Sequence, residues 1–151
     1  IGHLVGKNKI HGAYAIGKRI ARLGTTASVS LALVTAIFGK QILGLLTSDP
    51  WIISTGAAIL WIEVILENGR ALNFFGVNAL RSSGDIYFPV LVGIVVMWGV
   101  QVVGSYILGI SLGWGIIAMW AVFALDENIR GFIFLRRWNT FKWVGKSFTD
   151  S

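Results

Sequence analysis

Apolar residues run in long blocks along this chain, and polar residues gather between the blocks. Four blocks approach the roughly 20 helical residues that a bilayer core of about 30 Å requires. The first extends from Leu23 to about Leu46, with Lys40 near its far end. The second starts near Trp51 and reaches about Ala79, with charges in its second half. The third, Ile86 to Ile110, carries no charge, and the fourth, Leu112 to about Leu135, is interrupted by Asp126 to Arg130. Helices are predicted because an open sheet would leave unpaired backbone groups in lipid. The expected fold is an all-α integral membrane domain with four transmembrane helices (23–46, 51–79, 86–110 and 112–135) inside a unit spanning 23–138. A basic loop or surface helix over 1–22 precedes it, and a basic tail over 139–151 follows.

The connections read as turns. In Thr47 to Pro50, Asp49 is placed to cap a helix and Pro50 suits its first turn. Arg81 to Asp85, "RSSGD", is a Gly/Ser turn, and Gly109 to Gly113 is a short hinge. Basic residues then set the orientation. Lys7, Lys9, Lys18, Arg19 and Arg22 precede the first block, and Arg136, Arg137, Lys142 and Lys146 follow the last. Positive charge marks the cytoplasmic side, so four spans with both termini cytoplasmic are expected. Trp138 and Trp143 are expected at the inner interface, whereas Trp61, Trp98 and Trp120 are expected to be packing residues.

Composition agrees with a membrane protein: 55% of the 151 residues are hydrophobic and 13% charged, against about 25% charged in a soluble domain. The formal charge of +6 is distributed as topology requires, so no nucleic acid partner is expected; the expected surroundings are membrane lipid. There is no cysteine, and His3 and His11 lack neighbours at ligand spacing, so no metal site and no bound cofactor are predicted. No nucleophile–base set, metalloprotease motif or phosphate loop occurs, so the protein is not expected to be an enzyme and no catalytic residues are assigned. The chain begins at Ile1, without a signal peptide, and is expected to be part of a longer one.

The second block contains the candidate site. At about 100° per residue, Glu63, Glu67, Arg70, Asn78 and Arg81 fall on one face, with Asn73 on its flank. Trp61, Ile65 and Leu72 point away, and Asn68 on that apolar side has no account. A charge at the membrane centre costs about 2.5–3.5 kcal/mol, so such residues face protein or a watery cavity, as a pathway lining or a structural network. Glu67 and Arg70, at i and i+3, are expected to pair. Glu63 has no cation one turn upstream and is expected to be protonated, hydrated or paired further along or on another helix. It is therefore the better candidate for proton exchange. Glu127 and Arg130 are expected to form a structural ion pair, and Arg81 and Asp85 to serve topology and the cytoplasmic turn.

The run from Glu63 and Glu67 through "GRALN" to "ALRSSGDIYFPV" resembles multidrug and toxic compound extrusion transporters. The opening "IGHLVGKNKIHGAY" is similar to the Gly-rich cytoplasmic loop that precedes the third helix of each half in that family. The ending "ENIRGFIFLRRWNTFKW" resembles its last helix and basic exit. The resemblance implies helices nine to twelve of a twelve-helix, two-lobe transporter of the plasma (inner) membrane. It implies export of small organic, often cationic, compounds in exchange for sodium ions or protons. The partners would be the N-terminal helices of the same transporter. Glu63, Glu67, Arg70, Asn73 and Asn78 would line the substrate and ion pathway. A lipid or polysaccharide-precursor flippase, and a membrane subunit that only packs against partners, are the alternatives.

Overall fold

The computed structural model describes residues 1–146; residues 147–151, the end of the expected basic tail, lie outside the described residues. The described residues are helical, with no strand among them. A short α1 (Gly2–Gly6) leads into α2 (Ile10–Ile37), α3 (Gly39–Leu46) and the long α4 (Pro50–Ser82). Next, α5 (Tyr87–Val96) continues in π-helical turns over Met97–Val102 and Ser105–Ser111, and α6 (Gly115–Asn139) closes the order. Three helices are long and apolar enough to cross a membrane: Ile10–Ile37, Pro50–Ser82 and Tyr87–Ser111. The expected fourth, α6, has 25 residues, but Asp126, Glu127 and Arg130 in its middle keep it out of that class.

The first helix departs from its expected bounds of Leu23 to Leu46. It starts at Ile10, so the basic segment joins the apolar one without a loop. The reason is a seam of small residues, Ala13, Gly17 and Ala21, that is buried against the neighbouring helices, while Arg19 and Arg22 stay exposed. The helix ends at Ile37 because the chain breaks at Phe38, and α3 then packs beside α4, with Gly39 lying against Leu60.

The turn into α4 forms as its residues predict. Asp49 Oδ1 accepts from Trp51 N at 2.8 Å and Ile52 N at 3.4 Å, satisfying two orphan donors at the helix start. The α4–α5 turn uses Gly84 at φ 89°, a conformation that favours glycine. The hinge before α6 places Gly113 and Gly115 at φ 68° and 71°, so α6 starts at Gly115 rather than Leu112 and runs past Leu135 to Asn139.

The core lies where both ends of the described chain meet. Phe75, Ala79 and Leu80 of α4 pack with Ala13 and Ala21 of α2 and with Phe134 and Trp138 of α6. After α6 the chain turns at Phe141, whose φ is 56°, and returns Trp143 onto Trp138 with ring centroids 4.3 Å apart. Both indoles are 0% exposed, enclosed within the chain itself. Conversely, Trp61 and Trp98, expected to be packing residues, are exposed. Trp138 is enclosed because Gly17 leaves room for it: a Cβ there would lie 2.6 Å from Trp138 Cζ2.

Candidate functional site

Helices α4 and α6 approach closely enough for backbone to meet backbone. A Cβ on Gly69 would stand 2.4 Å from Asn128 N, and one on Gly131 would stand 2.8 Å from Gly69 O. Further along, Gly76 admits Phe134. Small residues of this kind let membrane helices come together where apolar burial supplies little drive.

Polar groups bridge the same seam. Asn68 Nδ2 donates to Asn128 Oδ1 at 2.9 Å, and Asn128 Nδ2 donates to the carbonyls of Ile65 and Ala124, both at 2.8 Å. Asn68 therefore has a partner, on a helix whose place its own periodicity cannot reveal. One turn further along, Asn73 Nδ2 donates to Glu127 Oε2 at 2.7 Å. On α6, Arg130 Nη2 donates to Glu127 Oε1 at 2.9 Å and also to Asp126. Asp126 is 0% exposed, and its second oxygen has no hydrogen-bond partner. The expected Glu127–Arg130 pair is thus one edge of a larger cluster that includes Asp126 and reaches α4 through Asn73.

A second cluster sits on α4 itself. Arg70 Nη1 donates to Glu63 Oε1 at 3.1 Å and also to Glu67, so one guanidinium serves two carboxylates. Glu63 is paired from two turns further along, one of the alternatives its sequence neighbourhood left open. The side chains of Glu63, Glu67 and Arg70 are 23%, 20% and 38% exposed, so the cluster is half-buried. Arg70 also lies over the Phe123 ring of α6, 5.8 Å from its centroid. The other oxygen of Glu63, Oε2, is buried with no hydrogen-bond partner.

The remaining candidate residues separate from this group. Asn78 donates to its own helix, to Phe74 O at 2.7 Å, and Arg81 is exposed at the end of α4. Asn73 joins the α6 cluster rather than the Glu63–Glu67–Arg70 group. Asp85, expected as a turn residue, is 3% exposed and takes Arg137 Nε at 2.5 Å and Lys146 Nζ at 3.2 Å. It therefore ties the α4–α5 turn to the end of α6 and the segment beyond.

Comparison with known proteins places this arrangement. The MatE family model matches residues 1–107. The chain belongs to the MatE family. It is 36% identical over 148 residues to "Uncharacterized transporter YisQ" of Bacillus subtilis, covering 97% of this chain and 32% of that protein. It is 30% identical over 112 residues to "Probable multidrug resistance protein NorM" of Synechococcus, covering 71% of this chain and 24% of that protein. The chain thus spans about a third of the length of the first of these relatives and less of the second. No solved structure matches it. The MatE membership and the three apolar helices make this a multi-pass membrane protein of a transporter family, as the resemblance of its polar helix implies.

Proposed function

We propose that this chain is the C-terminal part of a cation-coupled antiporter that exports drugs or other organic compounds by alternating access. In this reading α2, α4, α5 and α6 are helices nine to twelve of a twelve-helix, two-lobe transporter. Both termini of the segment are cytoplasmic, and the membrane is the plasma (inner) membrane. The N-terminal helices of the same transporter complete the pathway around the organic, often cationic, substrate.

The observation that supports it most directly is one Arg70 shared between Glu63 and Glu67, partway along an apolar helix of a MatE chain. Such intramembrane charges mark ion and substrate paths. A proton or sodium ion arriving at the carboxylates competes with Arg70 for the same oxygens. Occupied and unoccupied forms then differ in where the guanidinium binds, and that differential interaction is what shifts two conformations. Glu63 is the coupling group in this reading: it is the longer of the two Arg70 contacts, and its free Oε2 has no competing protein donor. Asn73 and Asn78 are the further pathway residues in this reading, outside the Arg70 cluster, with Asn73 bonded to Glu127 on α6.

The test is gradient-driven efflux from vesicles containing the intact protein, with a proton or a sodium gradient imposed in turn. Glu63→Gln should abolish efflux driven by the coupling ion while still inserting and purifying normally. Full gradient-driven efflux by Glu63→Gln would remove it from the mechanism. Failure of the unaltered protein to move any organic cation under either gradient would overturn the antiporter reading.

A further inference from the structure

We propose that the cavity at the end of α6 binds the phosphate headgroup of an anionic phospholipid. The cavity has a volume of about 380 Å³, and its lining includes Arg136, Arg137, Thr140 and Lys142 together with Phe88 and Phe132. Three cations and a hydroxyl therefore converge beside two aromatic rings. The division of labour among the cations is visible. Arg137 is committed to Asp85 and stacks over the Phe88 ring at 3.8 Å from its centroid. Arg136 and Lys142 are exposed, and among the described residues neither pairs with a carboxylate. Arg137 fixes the wall, and the other two are available to an anion.

A phosphate group answers this chemistry, and the apolar lining decides its source. Phe132 is 64% exposed on the same helix, one turn before Arg136. A free phosphate ion has no use for the rings, whereas a phospholipid carries acyl chains beside its phosphate. The location agrees, since the cavity lies where an apolar helix gives way to a basic segment, as at a membrane surface. Basic pockets between helix ends bind anionic headgroups, and each Lys or Arg near an anionic surface contributes attraction that falls off within a Debye length. Thr140, whose hydroxyl donates to Arg137 O at 3.1 Å, sits at the turn where α6 stops. A headgroup here bridges α6 and the segment holding Trp143, and so reinforces the contact between the end of α6 and the α4–α5 turn.

The experiment uses the intact protein in nanodiscs of phosphatidylcholine, alone or mixed with phosphatidylglycerol, and reads lipid retention by native mass spectrometry and the thermal midpoint. The unaltered protein should retain phosphatidylglycerol and gain in midpoint when it is present. The Arg136→Gln/Lys142→Gln variant should bind it roughly 30-fold more weakly, two charges being removed, and should lose that gain. Its midpoint in phosphatidylcholine alone should equal that of the unaltered protein, because among the described residues neither side chain holds a carboxylate. Equal retention and equal gain by variant and parent would overturn the site. An equal gain from inorganic phosphate in phosphatidylcholine nanodiscs would overturn the lipid as its occupant.

Discussion

At the scale of single residues, the molecule handles its buried charges by sharing cations. Arg70 holds two carboxylates and so does Arg130, each through one terminal nitrogen. Removing a shared cation strands two acids at once. Arg130 is the better buried of the two, at 15% side-chain exposure against 38%. Arg130→Ala should therefore destabilise the protein by about 3–5 kcal/mol, the range for breaking a buried pair. Arg130→Lys, which keeps the charge and loses the planar fork, should recover part of that loss. Thermal unfolding of the three proteins in one detergent checks the order. Glu67→Gln should also lower the midpoint, because Arg70 then keeps only the longer contact to Glu63. A midpoint for Glu67→Gln equal to that of the unaltered protein would show that this contact is not structural.

Between elements, α4 and α6 are held by close approach as much as by polar contact. Gly69 and Gly131 mark the crossing, and the Asn68–Asn128 bond spans 60 positions of sequence. Gly69→Ala would place a methyl group within 2.4 Å of the α6 backbone, so the helices must separate. A loss of about 1–3 kcal/mol follows from overpacking, with disruption of the asparagine bond added. Gly24→Ala, on α2 where the added carbon meets nothing, should not destabilise. Comparing the two midpoints separates crowding from a general intolerance of glycine replacement. At the other end of α6, Trp143 is fully buried on Trp138 and donates from Nε1 to Trp138 O at 3.0 Å. Trp143→Ala should cost about 3 kcal/mol or more, as large-to-small core changes do, and a change within 0.5 kcal/mol would show the segment to be a passive tail.

For the whole molecule, the prediction concerns sidedness. Lys7 and Val144 are exposed near the two ends of the described chain, while Ser48 and Leu112 are exposed at the α3–α4 and α5–α6 turns. With four spans, Lys7→Cys and Val144→Cys should react with an impermeant thiol reagent from one side, and Ser48→Cys and Leu112→Cys from the other. No cysteine occurs among these 151 residues, so each label within them reports one introduced position. Labelling of Val144→Cys on the same side as Leu112→Cys would mean that α6, the helix with charges in its middle, does not cross.

Much of the helix order was legible in the sequence, because it rests on local rules. Apolar blocks longer than a bilayer is thick read as helices, Asp49 and Pro50 mark a start, and Gly84 marks a turn, each within a few residues of itself. The 3.6-residue period likewise put Glu63, Glu67 and Arg70 on one face, and Arg70 is indeed within reach of both acids. The same period could say which way Asn68 and Asn73 point, but not what they meet. Asn73 and Glu127 are 54 positions apart, and Asp85 and Lys146 are 61 apart. Such pairs exist only once two helices have taken one relative position. The continuous α2 was decided in the same way, since the sequence left a loop and a surface helix both open over 1–22 while burial of Ala13, Gly17 and Ala21 favoured a helix. A residue's own sequence neighbourhood sets its conformation and the face it presents. The rigid packing of distant segments, made possible here by Gly17, Gly69 and Gly131, decides which face it touches and therefore whether a charge is paired or a tryptophan is buried.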